Sequence, residues 1–579
     1  MKPAFCLGAL VFGSVAMAQG QEQARSLIYS GNFQNGALES LTFVNSVVGW
    51  DLFFNSGFRG GSSVIGNLEA GQIWSGHEAF VRPPGAPNGI FAWTNPAVGA
   101  LNQLDYHATT VGHVLAGSGY VEQNGSPVFT YVGLGMAPEA RVVSGGIATE
   151  FSSTAPGSFS ITQQSMVRAY RDFFQGNNLA PGVNQLDVIN SSWGGSGDAS
   201  ASATESLVLD GLARQNPSVA LVLSAGNGGA GGVSSPASGF NNLSVGALGG
   251  PAFLTPSSFS SSGLADFYNP ETGFTLSGVR TVVDLAAPGE SLFLAAYLGN
   301  SGSIGAALPS LVQAPLPADQ YFLNLDGTSY SAPIVAGGIA LLKDVAKTDA
   351  SYNHLGNADA FDTRVIKSVL MASSKETAGW NNGQNAMNVT TQALDVRTGA
   401  GALDLVAAAD VYFLGTRELA TDGGGVIANA GWDSATIDLG STFEYRFATE
   451  FTQAMALTVA LNWFSVRQFD DLTGGGADLA FANLDLQVWS LDGGGQFLAK
   501  VGESGSTYNN TEFLRLDALV AGRYGLRVVF GSLVFDTTGA VTNEYYGLAW
   551  QAVAVPEPSC FALLAAALGL LSRRKRSEV

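Results

Sequence analysis

The chain has 579 residues, too many for one compact core, and its 46% apolar and 12% charged content, with 74 glycines, marks a folded, loop-rich protein and not a disordered one. Lys and Arg number 26 against 46 Asp and Glu, a formal net charge of -20. Such a surface repels phosphate backbones and anionic membranes, which argues against nucleic acid as a partner.

The first 18 residues, MKPAFCLGALVFGSVAMA, combine one lysine, an apolar run and the small-x-small triplet Ala16-Met17-Ala18. They predict a signal peptide, residues 1–18, and an exported protein. Residues 19–60 read as a short N-terminal extension without a long inhibitory propeptide. From 61 to 410, short apolar runs (SSVIGNLEA, ARVVSGGIA, LDVINSSWGG, SVALVLSAGN, TVVDLAAPG) alternate with Gly-rich turns and helical stretches. Bounded runs separated by crossover-length segments predict an α/β domain with a mainly parallel sheet flanked by helices, its functional loops at the carboxyl ends of the strands.

Within that span, Gly327-Thr-Ser-Tyr-Ser-Ala-Pro333 runs into an apolar helix. Small neighbours let a peptide approach Ser329, a helix N-terminus favours developing negative charge, and Pro333 is expected in the first helical turn, where its missing N–H has no partner. Ser329 is therefore a candidate nucleophile, and it needs a base to take its proton and a carboxylate to fix that base's tautomer. Only four histidines exist: His77, His107, His113 and His354. His107 opens an apolar helical stretch, HATTVGHVLAG.

Taken in order, HATTVGHVLAG, VINSSWGG, SAGNGG and GTSYSAP resemble the motifs of the subtilisin-like serine peptidases, over roughly residues 61 to 409. The resemblance implies Ser329 as nucleophile and His107 as general base, although Ala108, Thr110, Gly112 and His113 depart from the family's histidine motif. It implies Asn227, in Ser224-Ala225-Gly226-Asn227, as the oxyanion donor, and Ser192, Trp193 and Gly194 as the edge that pairs with an extended polypeptide substrate. The family's acid is an aspartate ending an apolar strand before a small residue and glycine. Here that strand is Val64-Ile-Gly-Asn-Leu-Glu69-Ala70-Gly71, so Glu69 takes the aspartate's place. His77 matches a downstream histidine of structural character. Cofactors are unknown: the family often uses calcium, yet no EF-hand-like acidic loop or other metal site is identifiable.

Gly399 to Ala409 resembles the segment closing the family's catalytic domain. Beyond it, alternating runs such as STFEYRFATEF, ALTVALNWFSV and YGLRVVFGS predict an all-β sandwich over 425–552, resembling the pre-peptidase C-terminal type. Residues 553–579 carry Val555-Pro556-Glu557-Pro558, an apolar stretch from Phe561 to Leu571, and Arg573, Arg574, Lys575 and Arg576. This resembles the PEP-CTERM sorting signal of Gram-negative bacteria, which implies transient membrane insertion, processing by an exosortase-type partner near the PEP tripeptide, and a cell-surface or extracellular product. Cys6 and Cys560 both fall in these terminal segments, leaving the processed protein without disulfides. The alternative to an exported endopeptidase is a catalytically degenerate protein of the same fold that binds at the surface or in the matrix.

Overall fold

The computed structural model describes residues 29–555 apart from 35–36, 87–88, 124–125, 153–157, 196, 298–320 and 353–355. The signal peptide and sorting segment lie outside these residues, as does His354.

The apolar runs become the central sheet. Its strands lie in the order Thr255–Pro256, Leu243–Gly249, Ala220–Ser224, Val188–Ser191, Val64–Glu69, Arg141–Gly146 and Ile90–Trp93, with Leu285–Pro288 also pairing Leu243–Gly249. All pairings are parallel except that of the short Thr255–Pro256 strand. Because both faces are covered, alternate residues of one strand enter different cores. Ile65, Val142, Val188 and Val222 face the helices Tyr106–Ala116 and Thr328–Thr348. Val64, Leu68, Ile189 and Leu221 face the helices Gln163–Gln175 and Thr204–Gln215. This two-sided burial explains why the strands read as continuous apolar runs. The Thr328–Thr348 helix is buried from Tyr330 to Ala346, as an apolar-all-round helix must be.

The N-terminal extension belongs to this domain. Tyr29–Gln34 and Ala37–Phe43 form strands, and Val44, Val48, Trp50 and Phe53 enter the main core. The Trp50 indole donates to the Met136 carbonyl at 2.7 Å, and the Asn45 amide to the Leu134 carbonyl at 3.1 Å.

The C-terminal region is all β. One five-stranded sheet has the order Thr416–Arg417, Ala430–Asp438, Asn543–Ala554, Met455–Trp463 and Thr511–Leu519; the facing sheet is built around Gly475–Leu491 and Arg523–Asp536. Leu457, Trp463, Leu484, Leu526 and Trp550 fill the space between them. The sheets recruit strands outside 425–552: Thr416–Arg417, and Val389–Thr390, which pairs Phe497–Ser504. Trp432, Ala460, Phe513 and Ala549 merge into the core that holds the Thr328–Thr348 helix, under the helix Thr363–Ala372. Across the seam, Arg467, 1% exposed, bridges Asp210 and Asp478 at 2.8 Å each. No helix of the described residues is long and apolar enough to cross a membrane.

Candidate active site

Glu69 ends the Val64–Glu69 strand, which is paired on both sides, and its side chain is fully buried. A buried carboxylate needs partners, and this one has two: Ser192 N–H donates to Oε1 at 2.7 Å, and His107 Nδ1 lies 3.0 Å from Oε2. The carboxylate only accepts, so the Nδ1 proton points at it and Nε2 keeps its lone pair.

The His107 helix is held against the acid by the turn after Glu69. Gln72 N–H donates to the Gln103 carbonyl at 2.7 Å, and Asp105 N–H to the Gln72 carbonyl at 2.8 Å. A Cβ at position 71 would sit 2.5 Å from the Gln103 carbonyl, so the Glu-Ala-Gly sequence needs its glycine for this approach. Asp105 is the N-cap, accepting from Ala108 N–H at 3.2 Å. Burial of the imidazole opposes its charge, but the Glu69 hydrogen bond and charge, with Asp105 adding, outweigh it and hold the His107 pKa above its ordinary value.

Ser329 is the second residue of its helix, which starts at Thr328. Pro333 therefore lies in the second turn, not the first as expected from the sequence. Its missing N–H would have bonded the carbonyl four residues back, that of Ser329. Ser192 supplies the replacement, its hydroxyl donating to the Ser329 carbonyl at 2.9 Å. In return the Ser329 hydroxyl donates to the Ser192 carbonyl at 3.3 Å, so a rotation of that hydroxyl must precede any transfer of its proton to His107.

Asn227 follows the strand Ala220–Ser224 in an exposed turn. Its Oδ1 accepts from Thr328 N–H at 3.0 Å and from the Thr328 hydroxyl at 2.9 Å, while that hydroxyl accepts from Gly226 N–H at 3.1 Å. With the oxygen end engaged, the Nδ2 end faces the turn before Ser329, 3.7 Å from where a Cβ on Gly327 would stand. Glu69, His107, Ser192, Asn227 and Ser329, widely separated in sequence, thus border one region at the carboxyl end of the sheet.

The matches to the subtilase motifs now have their geometry, and a profile described as the subtilase family matches residues 94–401, more than half of the chain. The chain belongs to the subtilase family. Subtilases are serine peptidases, and the matched span of this subtilase includes His107, Asn227 and Ser329 but starts after Glu69, so the acid rests on geometry. Among solved structures, the prenylagaramide maturation protease PagA is similar at 21% identity and a TM-score of 0.40, over 62% of this chain and 96% of that one. None of the curated proteins matches.

The other motif residues of this subtilase have structural partners. The indole of Trp193 packs in the core and donates to the Tyr170 hydroxyl at 2.9 Å, which leaves the expectation of a backbone-pairing edge at Ser192, Trp193 and Gly194 untouched. His113 is buried, with Nε2 donating to the Gly133 carbonyl at 2.8 Å and Nδ1 accepting from Ala295 N–H at 2.9 Å; burial, reinforced by His77, drops its pKa to about 3. His77 Nδ1 accepts from Ala79 N–H at 3.0 Å, and its ring meets Trp74 edge-on at 5.9 Å. Tyr330, which sequence reasoning did not single out, sets its ring 6.3 Å from that of His107; only its position after Ser329 could have signalled it. Among the described residues, no three His, Cys, Asp or Glu side chains gather as a metal site would require.

Proposed function

We propose that this subtilase is an exported serine endopeptidase that cleaves polypeptides through an acyl-enzyme on Ser329. His107 Nε2 takes the hydroxyl proton as Ser329 attacks the scissile carbonyl, then returns it to the leaving amine. Glu69 fixes the tautomer and stabilises the imidazolium in the role usually held by aspartate. Asn227 Nδ2 donates to the developing oxyanion, and the backbone of Trp193 and Gly194 pairs with the substrate strand. The reading rests above all on the 3.0 Å approach of His107 Nδ1 to Glu69, which leaves Nε2 as the ring nitrogen available to accept a proton.

Removal of the signal peptide after Ala18 and exosortase-type cleavage near Pro556 would release the product at the surface of a Gram-negative cell. The apolar stretch Phe561 to Leu571 would enter the membrane only in transit.

A fluorophosphonate probe tests the activity. The purified protein is expected to label, Ser329→Ala to remain unlabelled, and Glu69→Gln to label slowly. A folded parent that takes no label would move the assignment to a degenerate surface-binding protein.

A further inference from the structure

Beneath the Glu69 and Ser192 pair lies a second polar pair. Val188–Ser191 and Val64–Glu69 run parallel with Asn190 opposite Asn67. Side chains two apart in a strand share a face, so Asn67 lies under Glu69 and Asn190 under Ser192. Both asparagines are fully buried. Asn190 Nδ2 donates to Asn67 Oδ1 at 3.1 Å and to the Ser192 hydroxyl oxygen at 3.2 Å. The Ser192 hydroxyl in turn donates to the Ser329 carbonyl left open by Pro333, while Ser192 N–H holds Glu69. One connected chain of side chains thus runs from Asn67 through Asn190 to both the acid and the nucleophile's turn.

The pair is a poor choice for stability alone. Asn67 Nδ2 and Asn190 Oδ1 have no partner in the protein. A buried amide group without a bond destabilises the fold, and two aliphatic side chains of the same size would remove that loss. The strand neighbours two positions before them on the same face, Ile65 and Val188, are both apolar. What the two amides provide is direction, because a hydrogen-bonded hydroxyl at Ser192 has one orientation where an unsupported one has three.

We propose that Asn67 and Asn190 are positioning residues, which aim the Ser192 hydroxyl and thereby keep Glu69 and the Ser329 turn in working register. The proposal rests on the catalytic reading above, and its test separates the two.

Asn190→Leu, the double variant Asn67→Leu/Asn190→Leu, and Ser192→Ala would be made in the full chain. Denaturation midpoint, kcat, KM and the titration of His107 followed by imidazole NMR would be measured in each. The four histidines keep that spectrum simple. His107 faces Glu69, Asp105, Tyr106 and Tyr330, and the two carboxylates raise its pKa. The leucine variants are expected to match or exceed the parent in stability, with kcat about tenfold lower, KM within about twofold, and the His107 titration moved down toward its ordinary value near 6.5. Ser192→Ala should give the same pattern, and combining it with Asn190→Leu should add nothing further. Unchanged kcat and unchanged His107 titration in folded variants would overturn the proposal, as would loss of folding in both leucine variants. The titration is read without turnover, so a protein that cleaves nothing while its His107 still responds would refute the endopeptidase assignment and leave the positioning role standing.

Discussion

On the proposed reading, Glu69→Asp places at this position the residue type of the family's motif, and the geometry makes it a damaging change. Shortening the side chain by one carbon retracts the carboxylate by about 1.5 Å. With the backbone fixed, the 3.0 Å contact to His107 and the 2.7 Å bond from Ser192 N–H would lengthen to at most about 4.5 and 4.2 Å, and both cannot be kept within hydrogen-bond range. The strand cannot follow, since it is locked between Val188–Ser191 and Arg141–Gly146 and every residue in it is buried. A misplacement above 1 Å costs on the order of 10²-fold in rate, and complete loss of tautomer control about 10⁴-fold. The fold also loses a buried acceptor for Ser192 N–H, about 1–3 kcal/mol. Single-turnover labelling with fluorophosphonate, together with kcat/KM on a peptide library, measures the first effect, and a denaturant titration the second. The pH profile adds a signed check. In the parent, activity should appear above the ordinary histidine pKa, as His107 loses a proton that Glu69 helps to retain, and in Glu69→Asp this limb should move to lower pH. An aspartate variant as fast as the parent would refute the argument that this locked strand cannot bring a shorter carboxylate to His107.

Asn227→Ala should lower kcat by about 10²- to 10³-fold with KM little changed, measured by steady-state hydrolysis; a loss under about threefold would remove Asn227 from the oxyanion role. Arg467→Ala leaves Asp210 and Asp478 without their buried cation and should destabilise the protein by about 3–5 kcal/mol in denaturant titration, whereas an exposed pair would give under 1. Lys343 is fully buried and donates to the Asp187 and Ser218 carbonyls at 2.9 and 2.8 Å, and burial lowers its pKa to about 8. Between pH 8 and its unfolded value near 10.5 the unfolded chain binds the extra proton, so Lys343 makes stability rise with pH across that window. Lys343→Met should flatten the rise, and an identical slope in both proteins would refute the assignment.

The candidate site stands out in the sequence where chemistry forces a local pattern. Ser329 betrays itself by small neighbours and a helix start, and Glu69 by an apolar strand ending before Ala70 and Gly71. What the sequence hides is set by distant contacts. Pro333 reads as a first-turn proline until the helix start at Thr328 is known, and only then does the open Ser329 carbonyl acquire meaning. Trp193 follows the strand with no local sign of its side chain's partner, and its indole finds Tyr170 23 residues upstream. Residues 44–55 show no clean periodicity because their helices are only four and five residues long, and they hold through contacts such as Trp50 to Met136, 86 positions away. The seam is equally invisible: Arg467 and Asp210 are 257 residues apart, and nothing local marks either as a partner.

Merging of the sandwich with the core around the Ser329 helix bears on how such a protein can change over evolution. A tethered module can be lost, exchanged or duplicated at its linker without harm to its neighbour. Here a cut near residue 414 would strip Trp432, Phe513 and Ala549 from the apolar cluster that encloses the Thr328–Thr348 helix, and would leave Asp210 without its cation. A substitution on one side of the seam is therefore felt on the other, and an exchange of the sandwich alone would part residues that pack as one core.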